Sequence, residues 1–259
     1  MQRITARYAA LLALAGAVVA CGDSGTDPEP EAAFIELTSE IDVLPAGQSW
    51  ELQTVVEDED GDVITNPDVG YATSNTSIAT VDDEGVVTGV GDGIVTITAV
   101  ADGVSDEVEI GIFDIGDLCT NALGIDLGES VRASLQPGDC DEIVDDGSFV
   151  DLWFFDLAQT STVTIDLESD DFDAYMWLID DAGADVDEDD DGGGGTDSRI
   201  IATLAPGTYF ILANHYPPEF GAYEITVTAS TTASPSQAAI GLQKVRSVGT
   251  LPALRLKTP

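Results

Sequence analysis

Acidic and glycine residues are concentrated in residues 187–199, which read DEDDDGGGGTDSR. The aspartates supply carboxylate oxygens, and the four consecutive glycines let the backbone turn sharply and direct its carbonyl oxygens inward. This combination suits Ca²⁺, which takes about 6–8 oxygen ligands. Alternate residues Asp187, Asp189 and Asp191 match the first half of an EF-hand loop. The twelfth position is Ser198 and no helical pattern flanks the segment, so the sequence predicts a calcium loop of another kind.

The neighbouring segments determine which other carboxylates can join this loop. Apolar runs at 172–179 and 200–204 have strand composition, so we expect a loop between two β-strands. Asp171 and Asp173 begin the first of these strands on one face, and they reach the loop only if it folds back. The predicted calcium ligands are Asp171, Asp173, Asp187, Asp189, Asp191 and Asp197. The alternative is a solvated acidic hairpin without a metal.

Aromatic side chains indicate a second kind of site. Tyr216 and Phe220 bracket two prolines in a loop, and we expect them to contact an external polymer through apolar and stacking contacts. Tyr175 and Trp177 share a strand face and are predicted to be core residues instead.

The motifs of common enzymes are missing from the sequence. Neither Gly-x-Ser-x-Gly nor His-Glu-x-x-His occurs. His215 is the only histidine, and it lies in a loop with no identifiable nucleophile. No glycine-rich loop leads into a helix, so a phosphate cradle has no support. The sequence therefore predicts a protein without catalytic residues.

Charge is distributed very unevenly along the 259 residues. All 49 acidic residues fall between 21 and 242, where Arg132 and Arg199 are the only basic ones. Such a body repels nucleic acid and anionic membrane surfaces, and its self-repulsion must be relieved by salt or bound cations. Adaptation to a saline habitat explains the composition equally well.

The first residues have the pattern of a bacterial export signal. A positive start and a short apolar run, residues 8–20, are followed by Cys21, and the sequence Val-Val-Ala-Cys resembles a lipobox. That resemblance implies a signal peptide at 1–20, lipidation of Cys21, and a place in the cell envelope as an outer-membrane lipoprotein or surface protein. Ordinary signal cleavage with a free thiol is the alternative. Residues 21–32 have the composition of a flexible tether.

Two cysteines remain after Cys21 is set aside. Cys119 and Cys140 form an even pair in an exported chain, which predicts a disulfide. A bridge closing about 20 residues contributes about 3 kcal/mol.

Residues 33–113 contain short apolar stretches separated by turn dipeptides such as Asp102-Gly103. The runs 71–82, 85–90 and 93–99 (YATSNTSIATVD, GVVTGV and GIVTITA) resemble the bacterial immunoglobulin-like domain of group 2. The resemblance implies an immunoglobulin-like sandwich that serves as a spacer or adhesive module.

Residues 114–230 also read as strands. The runs 151–155, 170–175 and 204–209 (DLWFF, DDFDAY and LAPGTY) resemble the bacterial pre-peptidase C-terminal domain. The resemblance implies a jelly-roll-like sandwich, usually appended to secreted peptidases, and related collagen-binding modules use calcium and exposed aromatics.

Residues 231–259 have four basic residues, no acid and no strand alternation, so we expect a disordered basic tail.

The whole chain is predicted to be all-β, with two β-sandwiches in tandem. We expect a monomeric, non-catalytic surface lipoprotein that is stabilised by Ca²⁺ and binds an extracellular protein or polysaccharide. It contacts the membrane only through its lipid. The alternative is an accessory protein that targets or assists a separately encoded secreted peptidase.

Overall fold

The computed structural model describes residues 30–114, 119–141, 143 and 147–230, and the backbone of 245–247. All regular elements of these residues are β-strands, which confirms the all-β prediction. None of the described residues forms a helix that is long and apolar enough to cross a membrane. The predicted signal peptide, Cys21 and most of the tether lie outside the described residues.

The first domain alternates short strands with tight turns. In β8, Val95, Ile97 and Ala99 are buried while the residues between them face outward. The β8–β9 hairpin turns at Asp102 and Gly103, whose φ angles of 47° and 89° fit the type I′ turn that matches the twist of antiparallel strands. Its strands are β1 (Phe34–Thr38), β2 (Val43–Pro45), β3 (Ser49–Glu51), β4 (Gln53–Glu57), β5 (Gly70–Thr73), β6 (Ala79–Val81), β7 (Val86–Gly89), β8 (Gly93–Ala101) and β9 (Val104–Phe113). They form sheets in the orders β2-β9-β8-β5, β3-β7-β6 and β1-β4.

The second domain packs a sheet of order β11-β18-β13-β16 against a larger sheet of order β15-β14-β17-β12-β10-β19. Alternate residues of β13, such as Val163 and Ile165, face the other sheet and are at most 1 % exposed. Its strands are β10 (Asn121–Gly124), β11 (Glu129–Ser134), β12 (Val150–Leu157), β13 (Ser161–Glu168), β14 (Ala174–Asp180), β15 (Asp185–Asp189), β16 (Ser198–Leu204), β17 (Gly207–His215), β18 (Ala222–Ala229) and β19 (Val245–Ser247).

The central strands of the larger sheet, β12, β14 and β17, are apolar on both faces. Met176 of β14 points into the core between the sheets, whereas Tyr175 and Trp177 belong to a second buried cluster on the other face. Both aromatic residues are buried, which confirms that they are core residues. The predicted disulfide between Cys119 and Cys140 is present, and it packs against this outer cluster.

Two strands of the larger sheet differ from the sequence-based expectation. β15 consists of acidic, largely exposed residues, and it forms because the turn after Asp180 returns the chain antiparallel to β14. β19 lies in the tail that was expected to be disordered, and its backbone pairs with β10. The expectation of a tail without strands is therefore wrong for these three residues.

The two domains are in direct contact. Val43 and Phe113 of the first domain belong to the core cluster of the second. Arg132 of β11 holds Asp42 through two nitrogens, with N–O distances of 3.2 and 2.5 Å, and donates to the carbonyl of Ser39 at 2.9 Å. Asp42 N–H in turn donates to the carbonyl of Arg132 at 2.7 Å. One of the two arginines of the acidic body is thus committed to the domain junction.

Candidate cation site and aromatic loop

The β14–β15 hairpin brings the acidic loop back to the residues that precede β14. Because β15 pairs antiparallel with β14, Asp189 at its end lies opposite Met176 near the start of β14. The N–H of Ala174 then donates to the carbonyl of Thr196 at 2.9 Å, which fixes the far side of the loop at the same place. The predicted site required the loop to fold back towards Asp173. The β15 strand, which the sequence did not predict, brings the loop there.

Three carboxylates meet at this point. Asp173, Asp190 and Asp191 each offer an oxygen, and the three oxygens lie within 4.8 Å of one another. Two of the three were among the predicted ligands, and Asp190 was not, because the EF-hand spacing selects alternate residues. The unbroken run of acidic residues from 187 to 191 could have indicated Asp190, because any acidic residue of a turn can point inward.

The other predicted ligands have different partners. Asp189 accepts hydrogen bonds from the N–H groups of Gly192 at 2.8 Å and Arg199 at 2.7 Å. Asp197 accepts from the N–H of Ser169 at 3.1 Å, and Asp171 accepts from the N–H of Ala222 at 2.8 Å. These carboxylates hold the loop and its surroundings in shape. Asp187 lies exposed in β15 and accepts from the N–H of Glu188 at 3.0 Å.

The glycines permit very close approaches within the loop. A Cβ on Gly192 would lie 2.6 Å from both carboxylate oxygens of Asp189, and one on Gly193 would lie 2.8 Å from the carbonyl oxygen of Asp197. Ser198 is fully buried beneath the turn, and its hydroxyl group is 2.8 Å from the carbonyl oxygen of Asp190. The loop is therefore built around contacts that larger residues at these glycines would prevent.

The electrostatics of the cluster oppose full ionisation. Burial raises the pKa of Asp173, and the charges of Asp191 and Glu219 raise it further. Burial also raises the pKa of Asp190, with Asp191 and Asp173 adding to it, while a hydrogen bond from the Tyr216 hydroxyl opposes the rise. Oδ1 of Asp173 is buried and has no hydrogen-bond partner. A cation among these oxygens would relieve both the repulsion and the unmet acceptor.

The predicted polymer-binding loop adjoins the carboxylates. Tyr216 is half-buried, its N–H donates to the carbonyl of Asp173 at 2.9 Å, and its ring meets that of Tyr175 edge-on at 5.6 Å. Burial, followed by the charge of Asp190, raises the pKa of the Tyr216 hydroxyl to about 12. Phe220 is 44 % exposed at the tip of the loop and meets the ring of Phe149 edge-on at 5.8 Å. The exposed ring and the acidic cluster therefore belong to one surface.

His215 is the last residue of β17, so the expectation that it lies in a loop is wrong, and it occupies the environment of a core residue. It is 1 % exposed, and its Nε2 accepts a hydrogen bond from the N–H of Phe149 at 2.9 Å. Its ring lies 5.9 Å from that of Phe172 and 6.4 Å from that of Phe220. His215 therefore packs against the aromatic rings behind the loop that contains Phe220.

A separate groove of about 530 Å³ lies where the two domains meet. Glu40 of the first domain lines it, together with Glu168, Asp171, Asp197 and Glu224 of the second. Two of the predicted calcium ligands thus face this groove and not the three-carboxylate cluster.

Two family models match successive segments of the chain. Residues 31–111 match the family described as bacterial Ig-like domain (group 2), and residues 149–215 match the bacterial pre-peptidase C-terminal domain. The predicted order of the two families is confirmed. These domains are not catalytic in themselves. The chain has no match among curated proteins.

Several solved structures are similar to parts of the chain. The pre-peptidase C-terminal domain of a collagenase from Bacillus anthracis is 19 % identical, with a TM-score of 0.35, over 41 % of this chain and 94 % of that one. Domains 4 and 5 of the S-layer protein SbsC are 23 % identical, with a TM-score of 0.30, over 32 % and 53 %. The Yersinia pseudotuberculosis adhesin InvE is 11 % identical, with a TM-score of 0.26, over 79 % and 61 %.

Proposed function

We propose, from the succession of a bacterial Ig-like domain and a pre-peptidase C-terminal domain in one chain, that this is a non-catalytic, lipid-anchored protein of the cell surface. The first domain serves as a spacer or adhesive module. The second binds an extracellular protein or polysaccharide through its aromatic loop, which a bound Ca²⁺ holds in place.

The observation that carries this proposal is the connection between the acidic cluster and the aromatic loop. Tyr216 contacts the cluster twice, through its N–H to the carbonyl of Asp173 and through its hydroxyl to Asp190. A cation held by these carboxylates would fix the base of the loop that exposes Phe220. Calcium suits the site because the three side chains offer carboxylate oxygens, and Ca²⁺ accepts such oxygens in irregular coordination.

Calcium dependence is tested by thermal unfolding of the full chain at constant ionic strength, with either CaCl₂ or a chelator. Extracellular calcium sites have dissociation constants of about 0.1 mM or weaker. If the CaCl₂ concentration is about a hundred times the dissociation constant, binding stabilises the folded state by about 2.7 kcal/mol. Asp190→Asn should abolish the shift. Asp181→Asn, in the turn at the opposite end of the β14–β15 hairpin, removes the same charge and should retain it.

Two outcomes would remove the calcium site from the proposal. One is an unchanged melting temperature on chelation. The other is a shift that NaCl reproduces in full, since that result indicates screening of the acidic body and not a specific site.

Ligand binding is tested on a polymer array that carries collagen, chitin and cellulose. Phe220→Ala should abolish any binding seen with the native chain. The protein should stay folded at a cost of about 1 kcal/mol, because part of the ring packs against Phe149 and His215. Leu127→Ala, which removes an exposed apolar side chain elsewhere in the second domain, is the matched control. Binding that survives Phe220→Ala would rule out the aromatic loop as the contact.

The accessory role remains the alternative function. It is favoured by the family of the second domain, whose name associates it with peptidases. Copurification of a secreted peptidase with the full chain would support it, and polymer binding without such a partner would support the first function.

A further inference from the structure

The tip of the aromatic loop is apolar and open to a ligand. Pro217, Pro218 and Phe220 are all exposed, and 44 % of the Phe220 surface is accessible. The ring of Phe220 meets that of Phe149 edge-on at 5.8 Å and lies 6.4 Å from that of His215. The protein therefore supports the ring from behind and leaves part of it free for contact.

Carboxylates adjoin this ring both before and after it in the loop. Glu219 is exposed, and its charge acts on Asp173 of the three-carboxylate cluster. The carboxylate of Asp171 lies against the backbone of Gly221, where a Cβ would collide with it. Because Glu219 and Asp171 are not members of the cluster, a cation held there leaves their two charges in place.

The basic residues of the acidic body do not compensate these charges. Arg132 and Arg199 are the only arginines or lysines between residues 21 and 242, and they form ion pairs with Asp42 and Asp166. The surface around the loop is therefore negative. It would repel an anionic polymer, an anionic membrane and a second copy of this acidic body.

The loop also presents mainly hydrogen-bond acceptors. Pro217 and Pro218 have no N–H group. The N–H of Tyr216 already donates to the carbonyl of Asp173 at 2.9 Å. An ionised carboxylate such as that of Glu219 only accepts. A ligand that satisfies this surface must bring donors as well as positive charge.

We propose, building on the function proposed above, that the aromatic loop binds a protein segment that carries arginine side chains. A guanidinium group has five N–H donors and a permanent positive charge, pairs with a carboxylate through two bonds, and stacks on aromatic rings. Glu219 and Asp171 offer the carboxylates, and Phe220 offers the ring. Lysine fits less well, because its ammonium group is a compact charge without a plane to stack. A neutral polysaccharide brings donors and leaves both carboxylates without a counter-charge.

Fluorescence anisotropy with labelled peptides of equal length tests this ligand class. Alanine alternates with arginine, lysine or glutamine in the three peptides. The full chain is used with CaCl₂ at physiological ionic strength, which screens the general attraction of the acidic body. The arginine peptide should bind most tightly, the lysine peptide less tightly, and the glutamine peptide should not bind.

Local variants show whether the loop is the contact. Glu219→Gln should weaken binding of the arginine peptide about two- to fivefold, as expected of one exposed ion pair. Phe220→Ala should weaken it by about tenfold or more. Asp181→Asn removes the same charge outside the loop, and Leu127→Ala removes an exposed apolar group elsewhere, so both should bind like the native chain. Melting curves of each variant separate lost binding from lost folding.

Equal weakening in Glu219→Gln and Asp181→Asn would overturn the proposal, since the peptide would then bind the acidic body in general. Equal affinity for the glutamine and arginine peptides would also overturn it. Binding to chitin or cellulose alone, lost in Phe220→Ala, would overturn the arginine ligand and keep the polymer-binding function. A native chain that binds no peptide and no polymer would contradict both.

Discussion

The Tyr223 hydroxyl makes two hydrogen bonds in the core of the second domain, and Tyr223→Phe removes both of them. Tyr223 is 3 % exposed. Its hydroxyl donates to Asp151 at 2.6 Å and accepts from Trp153 at 2.8 Å. Tyr223→Phe leaves the buried Nε1 of Trp153 and the half-buried carboxyl group of Asp151 without this partner. Each group that loses its partner costs about 1–3 kcal/mol, and less where water can reach it, so we expect a loss of about 2–4 kcal/mol in the free energy of unfolding.

Urea denaturation at neutral pH measures this loss. Tyr209→Phe is the matched control, because its hydroxyl donates to a single acceptor, the carbonyl of Ala205, at 3.1 Å, and the residue is 8 % exposed. That substitution should cost about 1 kcal/mol. Equal losses in the two variants would contradict this prediction, since they would mean that the Asp151–Tyr223–Trp153 chain contributes no more than one ordinary hydrogen bond.

Two further outcomes follow from the structure, and a third follows from the lipobox resemblance at Cys21. Replacing Cys119 and Cys140 together by serine should lower the free energy of unfolding by about 3 kcal/mol in urea denaturation, and an unchanged urea midpoint would contradict this. Deleting residues 231–259 removes the three-residue pairing of β19 with β10 and should cost about 2 kcal/mol, whereas an unchanged melting temperature would show that this pairing contributes nothing. Cys21→Ala should abolish incorporation of labelled palmitate into the protein, and persistent labelling would rule out a lipid on Cys21.

The strands that the sequence reveals are those with one buried face. β13 shows the alternation of buried and exposed residues that a half-buried strand requires, and its bounds follow from that pattern. β15 gives no such signal, because nearly all its side chains are polar and it forms through backbone pairing with β14. β19 is hidden for a similar reason, since three residues at a sheet edge carry too little pattern to be recognised.

Sequence reasoning selected two of the three clustered carboxylates, Asp173 and Asp191, and missed Asp190. The composition of residues 187–199 indicated a cation loop, and Asp173 and Asp191 indeed lie together. Asp190 could not be chosen from spacing, because the direction of each side chain in the turn is set by hydrogen bonds made to Asp189 and Asp197. The roles of Asp171 and Asp197 depend on contacts with residues distant in the chain, which local spacing does not encode.

In the proposed function, a cation among three carboxylates fixes the base of the aromatic loop. Crystals of the full chain grown with CaCl₂ can locate this cation by diffraction at a wavelength where calcium scatters anomalously. We expect an anomalous peak within coordination distance, about 2.3–2.6 Å, of oxygens from Asp173, Asp190 and Asp191. The contradicting result is calcium bound only elsewhere, for example in the acidic groove between the domains, with these three carboxylates left without a metal.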